Sequence, residues 1–71
     1  MSTLLVDLIA ERRNRGLSQR QAAQLIGVNA QTLLRAERGD SVPHPHNAWR
    51  IATFYGLQVS DIWPVEQEEA A

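Results

Sequence analysis

The chain has 71 residues and a formal net charge of -1 at pH 7, so it can form one small domain with one modest core. It contains no cysteine, which excludes a disulfide framework and a thiolate metal site. The negative net charge argues against a basic protein that coats nucleic acid without sequence preference, because non-specific affinity comes mainly from contacts of Lys and Arg with phosphates.

The charge is unevenly distributed along the chain. Three of the eight acidic residues lie in the last six positions, so residues 1–65 hold seven arginines against five acids, a balance of +2. We therefore expect a domain over residues 1–65 and an acidic, disordered tail over residues 66–71. A basic leader and an apolar run long enough to span a bilayer are both missing, so we expect a soluble, cytoplasmic protein with no membrane partner.

The first predicted element is an amphipathic helix over residues 3–15. Its apolar positions recur at helical spacing from Leu4 to Ile9, with charged residues between them. Gly16 is placed to end this helix.

Two further helices follow with a very short turn between them. Ser18 and Gln21 match the S-x-x-Q capping box that opens a helix, and Gly27 is placed to close it. Asn29 can cap a third helix. Gly39, in a left-handed backbone conformation, is placed to end it.

Proline and glycine mark the remaining elements. Pro45 suits the first position of a fourth helix that runs to Gly56. Ser60 can cap a last short helical turn through Trp63, which Pro64 stops. The chain shows no alternating strand pattern, so the sequence predicts an all-α fold.

The second and third helices have the form of a helix-turn-helix, in which one helix braces another whose outer face can enter a DNA major groove. Spacing alone leaves an ordinary small helical bundle open, because such bundles also need short turns. Further positions match a known pattern: Arg12, Gly16-Leu17-Ser18-Gln19, Ala23, Gly27-Val28, Leu33, Glu37-Arg38-Gly39, Pro43, Ile51-Ala52 and Tyr55-Gly56. With these residues, positions 8–63 resemble the helix-turn-helix domain of the phage repressor and Cro (XRE-like) family. The resemblance implies a compact five-helix, lambda-repressor-like domain with its helix-turn-helix at helices 2 and 3.

The resemblance also implies an ion pair between Arg12 and Glu37, which would hold the first helix to the end of the third. The alternative is that these are two solvated surface charges. Breaking a buried pair of this kind costs about 3–5 kcal/mol, because one charge is left without its partner.

The third helix supplies the candidate base readers. If its apolar positions turn inward, helical geometry sends Gln31 and Arg35 outward, with Ala30 and Thr32 flanking the start of the exposed face. Gln can pair with an adenine edge, Arg with guanine, and Thr can use its methyl or hydroxyl group. The alternative is an ordinary solvated helix face.

The candidate phosphate contacts are Ser18, Gln19, Asn29, Arg38 and Ser41. Gln19 is included because the resemblance implies it, since it matches the glutamine that opens helix two in the family and often contacts phosphate. Ser18 and Asn29 stand at helix N-termini, where free N–H groups favour phosphate oxygens, although both could be caps alone. Asp40 and Ser41 stand where relatives often carry Lys or Arg, which weakens the expected phosphate clamp. Leu34 occupies a usually polar outward position and is either a contact to thymine methyl groups or an inert surface leucine.

The histidines His44 and His46 have an H-x-H spacing without a third ligand, so a metal site is not expected. His44 better fits a cap of the fourth helix or a phosphate contact. Because the sequence contains neither a nucleophile elbow nor a Gly-rich phosphate loop, we expect no enzyme, no cofactor and no small-molecule ligand.

The late aromatic residues raise the question of a dimer. We expect Trp49 in the core, and a homodimer could form near Phe54 and Trp63, unless Trp63 covers the base of the core. Two recognition helices about 34 Å apart would read a palindrome on one face of DNA.

The sequence thus predicts a DNA-binding transcriptional regulator that reads double-stranded operator DNA. It most resembles a Cro-like repressor or minimal immunity regulator of a phage or mobile element. The main alternative is a protein-interaction module, such as an antitoxin or adapter. The acidic charge balance and an outward Leu34 support this alternative. A metal-dependent enzyme using His44 and His46 is the second alternative.

Overall fold

The computed structural model describes residues 4–64, and this part of the chain contains five helices and no strand. The helices are α1 (Leu8–Asn14), α2 (Gln19–Ile26), α3 (Ala30–Arg38), α4 (Pro45–Phe54) and α5 (Val59–Ile62). The prediction of a five-helix all-α domain is therefore confirmed, and the predicted acidic tail at 66–71 lies outside the described residues. Within the described range, no helix is both long enough and apolar enough to cross a membrane.

Local sequence signals determine where α2 and α3 begin and end. The Ser18 hydroxyl accepts a hydrogen bond from the Gln21 backbone N–H at 3.1 Å, and the Gln21 side-chain oxygen accepts one from the Ser18 backbone N–H at 2.9 Å. Gly27, with φ of +90°, ends α2 in the left-handed region. Asn29 caps α3 through its side-chain oxygen, which accepts from the Gln31 N–H at 2.8 Å. The predicted capping residues of both helices are confirmed.

The predicted start of the first helix is wrong. The helix begins at Leu8, because the Asp7 carboxylate accepts from the Ala10 N–H at 3.1 Å and caps it there. The preceding residues leave the helical path to reach α5, where the Leu5 N–H donates to the Ile62 carbonyl at 2.7 Å. Leu4 packs against the core from this non-helical segment, so its apolar character reflects tertiary packing and not helical periodicity.

The predicted boundaries of the last two helices also need correction. α4 ends at Phe54, two residues before Gly56. Ser60 is not the cap of α5, because it lies inside the helix, and Gln58 occupies the capping position. The Asp61 carboxylate accepts from the Gln58 N–H at 2.9 Å, so α5 begins two residues earlier than a Ser60 cap would place it.

The core is formed by apolar residues from every helix together with the residues that follow α4 and α5: Leu8, Ala22, Ala23, Ile26, Leu33, Ala36, Ala48, Ile51, Ala52, Tyr55, Ile62 and Trp63. Trp63 is 1% exposed, whereas Trp49 is 58% exposed. The expectation that Trp49 fills the core is therefore wrong. α4 buries Ala48, Ile51 and Ala52 along one stripe, and a residue next to Ala48 points about 100° away from it. Since Trp63 covers the core, it cannot contribute to an exposed dimer surface with Phe54.

Candidate nucleic-acid interface

The turn between α2 and α3 consists of three residues, Gly27, Val28 and Asn29. The backbone N–H groups of Gly27 and Val28 both donate to the Ala23 carbonyl, at 2.9 and 3.0 Å. Val28 is half-buried against the core, so the turn is tied to α2 by hydrogen bonds and to the domain by packing. α3 therefore starts from a fixed position.

One face of α3 is buried and the other is available. Leu33, Ala36 and Glu37 are buried, whereas the predicted base readers Ala30, Gln31 and Arg35 are exposed and Thr32 is half-buried. Exposed groups that can donate and accept hydrogen bonds therefore share one side of a helix whose other side is anchored. Leu34 is half-buried, so it projects less than the sequence suggested.

A groove of about 270 Å³ runs between α3 and the start of α4. Two predicted base readers, Thr32 and Arg35, line it together with Ser41, a predicted phosphate contact. Val42 and Asn47, which were not among the predicted contacts, also line this groove. Pro45 at the first position of α4 places Asn47 in the first helical turn, and that spacing could have identified it.

The remaining predicted phosphate contacts lie around α3. They differ in whether their side chains already form hydrogen bonds or ion pairs within the domain. Ser18 and Asn29 are exposed at the starts of α2 and α3, with their side-chain oxygens engaged as caps. Arg38 is exposed, and its Nε atom lies 3.4 Å from a carboxylate oxygen of Asp40. Gln19 is half-buried, and its amide donates to Glu37 Oε1 at 2.9 Å, so one of its donors is directed into the domain.

Arg12 and Glu37 form a buried ion pair beneath this face. Arg12 Nε donates to Glu37 Oε2 at 2.7 Å, and the second guanidinium contact, to Oε1, is 3.3 Å. The side chains are 10% and 1% exposed. A further guanidinium nitrogen donates to the Leu17 carbonyl at 2.9 Å. Together with Gln19, this network joins α1, the loop before α2, the first turn of α2 and the end of α3.

Tyr55 lies close to this network and has a perturbed acidity. Burial raises the pKa of the Tyr55 hydroxyl above its ordinary value, and the negative charge of Glu37 adds to the increase. Among the described residues the hydroxyl has no hydrogen-bond partner. The Arg15 guanidinium lies 4.8 Å from the centre of the Tyr55 ring, which is a cation–π contact.

His44 and His46 serve α4. His44 Nδ1 accepts from the His46 backbone N–H at 3.2 Å, which makes His44 the N-cap, and His46 Nε2 accepts from Arg50 Nε at 3.0 Å. Both imidazoles thus use a ring nitrogen for a structural hydrogen bond. Over the described part of the chain, no cluster of three or more potential metal ligands is present.

The amino-acid sequence of this chain is similar to that of a known family and of known transcriptional regulators. Residues 8–62 match the family model described as helix-turn-helix. An uncharacterized HTH-type transcriptional regulator of Methanocaldococcus jannaschii is 36% identical over 53 residues, covering 75% of this chain and 80% of the relative. A second uncharacterized HTH-type transcriptional regulator, from Bacillus subtilis, is 33% identical over the same length and coverage. No solved structure matches significantly.

Proposed function

The chain belongs to the helix-turn-helix family, a family of non-enzymatic, DNA-binding transcriptional regulators, and from this membership we propose that it reads operator DNA sequence-specifically with α3. Its simplest regulatory action is repression by occluding RNA polymerase. The observation that carries the proposal is the two-sided character of α3, which exposes Gln31 and Arg35 on one face while Leu33 and Glu37 hold the other in the domain. A Cro-like origin in a phage or mobile element stays a prediction from the resemblance.

In this proposal the exposed face of α3 enters the major groove. Gln31 pairs with an adenine edge and Arg35 with a guanine edge, because each can form two parallel hydrogen bonds with that base. Ala30 and Thr32 contact neighbouring bases through their methyl groups, and the Thr32 hydroxyl can also hydrogen-bond. A rigid helix favours such recognition, because each bond depends on the position of the side chain relative to the base.

Phosphate contacts position α3 without reading sequence. Ser18 and Asn29 contribute the partial positive charge of two helix N-termini, and Arg38 and Ser41 act at the other end of α3. Gln19 has a second amide hydrogen for a phosphate while its first bond to Glu37 is kept. These contacts should make affinity fall with added salt, as it does for any protein that displaces counterions from DNA.

The proposal is tested by selecting bound sequences from a random duplex pool, using the wild-type chain and the Gln31→Ala and Arg35→Ala variants at matched salt. Arg13→Ala is the matched control, since it removes the same charge from an exposed position on α1. An enriched motif is expected, with each α3 variant relaxing a different base position. Arg35→Ala should weaken binding to the motif by about 1–3 kcal/mol, whereas the control should leave the motif unchanged.

Two other outcomes would change the assignment. If Arg35→Ala weakens binding to all sequences equally, Arg35 is a phosphate contact and not a base reader. If the wild-type chain enriches no motif even at low salt, the alternative of a protein-interaction module, such as an antitoxin or adapter, is favoured. The half-burial of Leu34 weakens one support for that alternative.

A further inference from the structure

A groove of about 400 Å³ lies between the segment before α1 and the end of α3. Leu4, Leu5 and Val6 line it from the first side, and Arg38 lines it from the second. Leu5 is 64% exposed, and the Arg38 side chain is 62% exposed. The groove therefore offers an uncovered apolar side chain and an accessible cation to one occupant. Because a single exposed apolar residue is ordinary, the occupant has to be identified from charge and from what lies next to the groove.

The chain leaves the described domain beside this groove. The Leu5 backbone N–H donates to the Ile62 carbonyl at 2.7 Å, which holds the end of α5 against the apolar side. Trp63 then has an extended backbone, and residues 65–71 follow shortly after it. An extended chain advances by about 3.3–3.6 Å per residue, so this segment begins within about 11 Å of the Leu5–Ile62 bond. It is long enough to cross the groove to the α3 side.

The composition of residues 65–71 matches the groove in order along the chain. Val65, the large apolar side chain of the segment, comes first and is therefore the member nearest to Leu5. The three glutamates, Glu66, Glu68 and Glu69, come after it. Carboxylates are the acidic groups whose geometry matches a guanidinium. The segment thus offers an apolar group to the apolar side of the groove and negative charge to its basic side.

Arg38 is the basic residue among the described residues that line this groove. The Asp7 carboxylate caps α1, and Glu37 is bonded to Arg12 at 2.7 Å. Arg38 has its Nε atom 3.4 Å from Asp40, in an exposed pair, and a guanidinium has further N–H donors for a second carboxylate. The charge of Asp7 repels glutamates from the side of α1, which directs them toward Arg38.

We propose that residues 65–71 dock in this groove, with Val65 against Leu5 and the glutamates at Arg38, and that the docked segment competes with DNA for Arg38. The docking does not depend on DNA binding, whereas the competition rests on the proposed function, in which Arg38 contacts a phosphate. A carboxylate and a phosphate oxygen cannot accept from the same N–H group at once. Since a short linker gives an effective concentration in the millimolar range, a weak contact is sufficient.

The docking is tested first on the free chain, without DNA. Because the chain contains no cysteine, Gln67→Cys carries a single nitroxide while all three glutamates are kept. The amide signals of Leu5 and Arg38 should broaden more strongly than that of Trp49, which lines a different groove. Replacing the three glutamates by glutamine should remove the extra broadening at Arg38. Circular dichroism checks that each variant is folded.

Two outcomes of this measurement overturn the docking. One is broadening at Arg38 that is no stronger than at Trp49, or that is unchanged when the glutamates are neutralised. The other is found by mixing isotope-labelled wild-type chain with unlabelled nitroxide-bearing chain. Broadening at Arg38 that arises only between chains would assign the groove to a second copy and not to the chain's own segment.

The competition is tested by titrating duplex DNA with the wild-type chain and with the variant in which Glu66, Glu68 and Glu69 are replaced by glutamine. Both are also made in an Arg38→Ala background and in an Arg13→Ala background, the matched loss of one exposed charge on α1. Neutralising the glutamates should raise affinity in every background by reducing general repulsion. The gain should be about 1.5- to 5-fold larger with Arg13→Ala than with Arg38→Ala, because only the first keeps the contact.

Equal gains in the two backgrounds would overturn the competition, since the glutamates would then act through net charge alone. If the chain binds no duplex even at low salt, the proposed function fails, and the nitroxide measurement still decides whether the segment docks. Failure of the docking and failure of the DNA-binding proposal are therefore distinguishable.

Discussion

The buried pair of Arg12 and Glu37 gives the sharpest stability prediction. In Glu37→Ala the Arg12 guanidinium stays in a site where its side chain is 10% exposed, and it keeps one of its hydrogen bonds, to the Leu17 carbonyl. Gln19 also loses the oxygen that accepts from its amide. Removing one partner of a buried pair costs about 3–5 kcal/mol. A core of this size supplies a net stability of only about 3–5 kcal/mol, so we expect Glu37→Ala to be largely unfolded.

Two further variants separate the charge from the shape of the side chain. Glu37→Gln keeps the volume and one carbonyl oxygen for Arg12 but removes the charge, so its expected cost is the loss of a charge-assisted hydrogen bond, about 1.5–3 kcal/mol. The double variant Arg12→Met with Glu37→Leu leaves no unpaired charge behind. It should recover most of the stability lost in Glu37→Ala, because apolar residues of similar volume often replace a buried pair without net cost.

The assay is urea unfolding followed by circular dichroism, with stability taken from the midpoint and slope of the transition. Glu11→Ala is the matched control, because Glu11 pairs with Arg15 at 2.9 Å with side chains 34% and 39% exposed. An exposed pair of this kind contributes about 0.2–1 kcal/mol. A cost for Glu37→Ala no greater than that of Glu11→Ala would refute the argument, since Arg12 would then be solvated despite its burial. A double variant as unstable as the sum of its single substitutions would refute it equally.

Three local features of the domain can each be tested by one substitution. Because burial raises the pKa of Tyr55, the folded chain keeps the hydroxyl proton at pH values where the unfolded chain loses it. Its contribution to stability is complete below about pH 10 and falls as the pH rises further. Tyr55→Phe should remove this alkaline loss in urea unfolding at a series of pH values, with little change at neutral pH; an unchanged alkaline loss would assign it to other groups. Asp40→Asn removes a carboxylate 3.4 Å from Arg38, so it should raise affinity for all duplexes, and a salt titration should show a steeper dependence. If the same gain appears in an Arg38→Ala background, Asp40 acts by general repulsion and not through Arg38. Gly27→Ala should lower thermal stability by about 1–2 kcal/mol for the left-handed backbone alone, and its Cβ would also displace the Arg50 guanidinium; an unchanged melting temperature would contradict the strain argument.

The sequence by itself determined where α2, α3 and α4 begin and where α2 and α3 end. Ser18, Asn29 and Pro45 identify helix starts because their side chains or rings act within a few residues of their own backbone. Gly27 and Gly39 identify helix ends because the left-handed backbone strongly favours glycine. The resemblance added that Arg12 and Glu37 would lie together, although 25 positions separate them in the chain. Those features together were sufficient to predict the fold and the exposed side of α3.

Only the tertiary structure decided which apolar residues are in the core and which are on the surface. Trp49 and Trp63 are the same residue type, but α4 directs the first away from the core while the chain after α5 turns the second into it. Leu4 and Leu5 fit a helical pattern, yet contact with α5 draws them out of a helix. Such outcomes depend on the packing of elements distant in sequence, because burial is a property of the assembled domain and not of the local segment.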